Sequence, residues 1–173
     1  MNDGEARFEA LVAQVHDPLM RYLRRRTDMH SADEVMSDVL LTLWRRLDSI
    51  PEPAPLPWCY GVARRALANH RRSTQRRLRL AKRLESEPAV HGHDDDSDLA
   101  QALATLSESE HELVTLWAWE GLEPREIAVV LETTANAVSL RLARVKKKLA
   151  AELTRQNHVA GGHNRDGNAG ARP

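Results

Sequence analysis

Apolar positions recur at helical spacing along most of this chain. Phe8, Leu11, Val12 and Val15 share one side of a helix, and Leu19, Tyr22 and Leu23 continue it before Arg24-Arg25-Arg26. Asp17-Pro18 between them predicts a cap and a restart. Val35, Val39, Leu43 and Leu47 repeat every four residues, and Met36, Leu40 and Trp44 widen the stripe, which puts Trp44 in the core. Ser31 followed by Glu34 fits a capping box at the start of that helix. Pro51, Pro53, Pro55 and Pro57 then predict a stiff, non-helical loop. The next helix is expected from about Trp58, with Cys59, Val62, Ala63, Ala66, Leu67 and His70 on its inner face.

Residues 84–98 lack any period and read as a flexible acidic linker. Periodicity returns at Leu99, Leu103 and Leu106. Ser107 with Glu110 forms a second capping-box pattern, ahead of Leu113, Val114, Leu116, Trp117 and Trp119, and Gly121 marks the stop. From about Gln156 the tail is rich in Gly, Asn and His and is expected to be disordered. The pattern predicts an all-α chain: a helical domain over 5–83, the linker over 84–98, a second helical domain over 99–155, and a tail over 156–173.

The stretch from Gly121 to Leu149 carries the strongest local signal. Pro124 suits a first helical position. Ile127, Ala128 and Leu131 form an apolar face, and Ala128 is small where two helices would cross closely. Thr133 and Thr134 offer capping hydroxyls. Val138, Leu142, Val145 and Leu149 form a buried stripe, while Asn136, Ser139, Arg141, Arg144, Lys146, Lys147 and Lys148 occupy the other faces. This is the layout of a helix-turn-helix, whose second helix can enter a DNA major groove. A solvated helical hairpin with a basic end is the plainer reading of the same residues.

Charge changes the picture more than composition does. The formal net charge of the 173 residues is zero, yet residues 1–83 carry 16 Lys and Arg against 10 Asp and Glu. Residues 84–112 carry nine acidic residues and no Lys or Arg. Two basic blocks therefore flank an acidic one. A single cysteine, Cys59, rules out an intramolecular disulfide and an all-cysteine metal site. With a polar N-terminus and no apolar run of spanning length, the expectation is a cytoplasmic protein without membrane insertion.

Two helical units with these motifs resemble the sigma-70 family of RNA polymerase sigma factors, in particular its short extracytoplasmic-function (ECF) group. Leu103-x-x-Leu106-Ser-x-x-Glu110, Glu120-Gly121-Leu122, Glu126-Ile127-Ala128, Leu131, Val138 and Arg141-Leu142-x-Arg144 look like the sigma4 signature. The run from Ala32 to Leu40 resembles the sigma2 segment that docks on the polymerase clamp helices. Trp58-Cys59-Tyr60-Gly61-Val62-Ala63-Arg64-Arg65 resembles the start of the helix that reads the −10 element. Departures accompany the likeness. The family usually has Asn at the position of Arg65, Asp at Asn69, Gln-Glu-Phe-like residues at Ser37, Asp38 and Leu40, Gly at Glu132 and Thr at Ala137.

The resemblance implies a sigma2-like helical bundle and a sigma4-like helix-turn-helix, with no catalytic residue, cofactor or metal. Asp33, Glu34, Ser37, Asp38 and Leu41 would bind core RNA polymerase at the clamp helices of its beta-prime subunit. Trp58, Arg64, Arg65, Asn69, Arg71, Arg72 and Arg76 would meet the −10 element, one strand of which leaves the stack and is held by the protein. The proline-rich loop is either a pocket for a flipped base or a plain connector, and Trp58 either core or a stacking platform. Asn136, Ser139, Leu140, Arg141, Ala143, Arg144 and Lys146 would meet the −35 element. The resemblance points positions 139, 140, 143 and 144 at bases; of these Arg144 alone has the forked donors suited to guanine, and Arg141 and Lys146 suit phosphates. An anti-sigma factor is a further partner that the family suggests.

Two other functions compete. A free-standing helix-turn-helix regulator would explain residues 99–153 but leave 31–83 without a role. An enzyme with a metal at His91-x-His93-Asp94-Asp95-Asp96 has suitable ligand types but no scaffold around them.

Overall fold

The computed structural model describes residues 3–82 and 98–162, with side chains over 3–79 and 99–155. The acidic linker and its His-Asp run lie outside the described residues, except for Asp98. Seven α-helices occur among the described residues: α1 (Asp3–Arg24), α2 (Met29–Arg45), α3 (Pro55–Lys82), α4 (Asp98–Ala104), α5 (Glu108–Ala118), α6 (Pro124–Leu131) and α7 (Ala135–Gly162). A single 3-10 turn over Leu47–Ser49 follows α2.

The N-terminal unit is a bundle of α1, α2 and α3. Val15, Leu19 and Leu23 of α1 and Val35, Val39 and Leu43 of α2 are fully buried against Cys59 and Ala63 of α3. Tyr22 and Tyr60 lie 5.2 Å apart in a tilted ring pair, with the Arg26 guanidinium over the Tyr22 ring.

Several boundaries differ from those expected. Helix α1 runs straight through Pro18, with no restart at Asp17. Proline removes one backbone donor, and the burial of Val15, Leu19 and Leu23 along one unbroken face outweighs that loss. The cap of α2 is Asp28, not Ser31. Its carboxylate accepts the Ser31 N–H at 3.0 Å, and this bond holds its pKa down at about 2. Helix α3 begins at Pro55, so Pro55 and Pro57 stand in its first turn, where no intrahelical donor is required. The loop is therefore shorter than the proline run. Helix α7 continues to Gly162, into the stretch expected to be a disordered tail.

Trp44 is the clearest correction. It is 45 % exposed rather than core. It stands one residue past Leu43, off the Val35–Val39–Leu43 line, and its ring meets Phe8 in a T-shaped contact at 5.1 Å.

In the C-terminal unit the expected signals hold. Ser107 and Glu110 form the capping box of α5. Gly121 adopts φ +68° just beyond that helix. Thr134 Oγ1 accepts the Ala137 N–H at 3.2 Å at the start of α7. Ile127, Val138 and Val145 are buried with Leu113 and Leu116. Trp117 and Trp119 flank this core, at 39 % and 48 % exposure.

The two units do not hang apart. Helix α6 packs on α3, and buried residues of both units join one hydrophobic cluster. Leu43→Ala should cost about 2–5 kcal/mol of unfolding free energy. Urea denaturation followed by circular dichroism measures this; a loss under 1 kcal/mol is inconsistent with the packing described here.

Candidate nucleic-acid interface

Helix α7 presents a clean exposed strip. Val138, Leu142 and Val145 anchor its inner side. Asn136, Ser139, Leu140 and Ala143, at i, i+3, i+4 and i+7, line the opposite side and are exposed, with Arg144 beside them. The Ser139 hydroxyl donates to Ala135 O at 2.9 Å, which leaves its oxygen free to accept. Leu140 is 53 % exposed, an apolar residue that the unit itself does not cover. Arg141 and Lys146 stand on the two shoulders. The Lys146 ammonium sits 3.5 Å from the centroid of Trp117, so this lysine braces α7 on α5.

Helix α3 splits the expected −10 residues between two directions. Trp58, Arg65, Asn69, Arg72 and Arg76 follow one line along the helix, at i, i+7, i+11, i+14 and i+18. Trp58 is half-buried with the Arg46 guanidinium 5.4 Å from its ring centroid. Arg72 donates to Asn69 Oδ1 at 2.6 Å. Arg64 and Arg71 point about a third of a turn away. Arg64 holds Glu112 with two bonds, at 2.7 and 3.2 Å. The bond to Glu112 raises the pKa of its guanidinium further. Arg71 donates to the carbonyl of Arg26 at 2.7 Å.

Between the units lies an open cleft of about 870 Å³. Arginines 25, 26, 64, 65, 71 and 72 line one wall, and the start of α5 lines the other. Glu120, its side chain 2 % exposed, pairs with Arg25 and, at 3.0 Å, with Arg26. Arg26 also donates to Thr115 Oγ1 at 3.0 Å and covers the Tyr22 ring at 3.7 Å. Burial, with Arg26 as a lesser cause, lowers the pKa of His111 at the cleft edge.

The third set shares one face of α2. Asp33, Glu34, Ser37 and Asp38 are exposed around Leu41, itself 46 % exposed. Trp44, three residues beyond Leu41, extends this apolar ridge. Hydrophobicity beside the four-residue repeat suggests a core place for Trp44. Its offset from Leu43 was the available signal. Glu34 also faces His30 and His70, at 3.4 and 3.7 Å. Among the described residues no group of His, Cys, Asp and Glu is arranged to hold a metal, and no helix is long and apolar enough to cross a membrane.

Comparison with known proteins decides what joins these surfaces. The model of sigma-70 region 2 matches residues 11–77, and that of sigma-70 region 4 matches residues 97–149. The chain belongs to the sigma-70 family. Together the two matches cover more than two thirds of it, region 2 ahead of region 4. The RNA polymerase sigma factor NccH of Alcaligenes xylosoxydans xylosoxydans is 28 % identical over 134 residues, covering 70 % of this chain and 72 % of NccH. The ECF RNA polymerase sigma factor SigC of Mycobacterium tuberculosis (strain CDC 1551 / Oshkosh) is 23 % identical over 155 residues, covering 84 % and 82 %. Among solved structures, CnrH in complex with the cytosolic domain of CnrY superposes with a TM-score of 0.59 at 25 % identity, over 86 % of this chain and 88 % of CnrH. The sigma factor RpoE bound to the anti-sigma factor NepR, from Bartonella quintana, shares the fold, with a TM-score of 0.62 at 21 % identity over 85 % and 96 %.

The sigma4 unit also contains a proton-sensitive brace. Glu110 accepts the Ser107 N–H at 2.8 Å and the Lys148 ammonium at 3.0 Å. The Ser107 bond first, and Lys148 next, hold its pKa near 2 against an ordinary 4.5. A depressed carboxylate pKa contributes stability above the unfolded value, lost as pH falls through the folded one. Stability is therefore expected to fall between pH 4.5 and 2, and Glu110→Gln to flatten that slope. Thermal melts across this range, variant against parent, check the outcome; parallel slopes would refute it.

Proposed function

We propose that this chain binds core RNA polymerase through the α2 face and carries it to promoters, with α7 on the −35 element and α3 on the −10 element. The observation that carries this reading is the presence of regions 2 and 4, in order, on one chain whose α2, α3 and α7 each leave a chemically distinct face exposed. The functional division runs 5–83 and 99–155, with 84–98 as the tether. Asp33, Glu34 and Asp38 supply charge for a basic partner, and Leu41 supplies apolar area. Trp44, exposed beside Leu41, joins them as a further apolar contact. A free-standing regulator would have no use for this face.

On DNA, Arg141 and Lys146 take phosphates from the shoulders of α7. Arg144 reads a base edge, Ser139 accepts from one, and Leu140 and Ala143 meet thymine methyls. On α3 the line from Trp58 to Arg76 follows the −10 strand, with Trp58 beside the loop as the stacking candidate and arginines along the backbone. Sigma factors are not themselves catalysts; the polymerase supplies the chemistry. The chain works in the cytoplasm, where polymerase and promoter are. Structures of related folds bound to NepR and CnrY make an anti-sigma factor a partner to seek.

Run-off transcription with purified core polymerase on a promoter library tests the reading. The expected result is initiation dependent on this chain, with a shared −35 and −10 pattern among the active templates. Arg144→Ala should cost about 1–3 kcal/mol at one −35 position. A loss uniform over all −35 sequences would make Arg144 a phosphate contact, and no initiation at all would overturn the promoter reading.

A further inference from the structure

Arg46 is the C-cap of α2, and its backbone is bonded on both sides. Its N–H donates to the carbonyls of Thr42 and Leu43, and its own carbonyl accepts the Ser49 N–H at 2.8 Å. Its side chain is exposed and has no carboxylate partner among the described residues. What it meets is Trp58, whose ring centroid lies 5.4 Å from the guanidinium. Arg26 on Tyr22, at 3.7 Å, and Lys146 on Trp117, at 3.5 Å, are much tighter pairs. Arg46 therefore rests on Trp58 without being locked there.

The turn that follows Arg46 is tied down from α1. All three guanidinium nitrogens of Arg7 donate into it: Nε to Glu52 Oε1 at 3.3 Å, Nη1 to Asp48 Oδ1 at 2.9 Å and Nη2 to the Leu47 carbonyl oxygen at 3.4 Å. Ile50, buried in the core cluster, anchors the same turn. Exposed ion pairs stabilise little one by one. One planar guanidinium that makes three bonds is immobilised only once, so what it supplies here is shape.

We propose that Arg46 is a further contact to the −10 strand, and that Arg7 is a positioning residue that holds the turn beside it. The inference rests on the promoter reading of α3 and Trp58. An unpaired base stacks on an indole more strongly than an exposed guanidinium does, so the base takes the Trp58 face and Arg46 moves off it. The displaced guanidinium, with no carboxylate to hold it, takes the phosphate beside that base. Arg46 thus adds one cation at the start of the line that runs from Trp58 to Arg76. With the Arg46 backbone fixed, this swing is confined to side-chain torsions, which keeps the cation within reach of the ring. Arg7 acts by fixing the turn and touches no DNA.

The test uses polymerase reconstituted with the full chain, on a fork template with duplex −35 DNA and a single-stranded −10 strand, both copied from an active library template. Trp58→Ala should weaken binding about tenfold. An abasic site at one −10 position should cost the unaltered protein the same and cost Trp58→Ala nothing further. Arg46→Ala should weaken binding about fivefold whatever the −10 sequence, and lower the slope of log affinity against log salt by about 0.7, the share of one single-strand phosphate. Arg46→Lys should keep that slope. Arg7→Lys, which keeps the charge and loses the planar fork, should weaken binding about threefold and add nothing to Arg46→Ala in the double variant. If Arg7→Lys fails to fold, Arg7→Gln takes its place. Additive losses in the double variant would make Arg7 a general stabiliser and overturn its positioning role. Normal run-off transcription beside an unchanged Arg46→Ala salt slope overturns the phosphate contact alone. Absence of run-off transcription overturns the promoter reading and this contact with it.

Discussion

Helix α3 is packed from two sides, and this double contact organises the molecule. Its inner face, Cys59, Val62, Ala63 and Leu67, completes the bundle with α1 and α2. Its outer stripe, begun by Gly61, receives α6. Burial is strong enough on the inner side to push the pKa of the Cys59 thiol to about 12. The outer side has a narrower seat and depends on charge. One helix therefore holds a hydrophobic core on one side and ion pairs to the other unit about a half-turn away.

Arg26 joins those two regimes. Its guanidinium lies on Tyr22, a core ring, and reaches Glu120 and Thr115 of the other unit. An arginine suits this position because its flat face stacks while its edge donates in plane. A lysine would have to choose between the ring and the carboxylate. The same reasoning separates α7 from α3. On α7 the Lys146–Trp117 contact lies within one unit and braces the helix, whereas Arg64 and Arg65 of α3 pair with Glu112 and Glu132 of the other unit.

The all-α fold and the order of its helices were legible because amphipathic stripes and caps are local. Val138, Leu142 and Val145 are buried as their spacing required, and the Ser107–Glu110 box caps α5. The errors arose where a local rule met a longer-range one. Pro18 reads as a break, but a continuous buried face carries α1 through it. Pro55 and Pro57 read as loop, but a first helical turn tolerates them. Trp44 reads as core because hydrophobicity alone does not give its angle on the helix. The candidate DNA residues were legible as types, yet their pairing with Glu112, Glu120 and Glu132 was not. Those partners lie 48, 94 and 67 positions away from Arg64, Arg26 and Arg65, and nothing periodic links them. Val130 carries no such local signal either: it is buried where its backbone comes close to Gly61 of the other unit.

Glu132 occupies the turn of the helix-turn-helix with φ +53°, in the left-handed region that glycine enters freely. For any other residue the conformation costs about 1–2 kcal/mol. A glycine there would make a more relaxed turn and a mute one, with no side chain to reach Arg65. The glutamate at that corner instead reaches Arg65 of the other unit. Ease of the turn and the ion pair across the units are thus opposing demands on one residue.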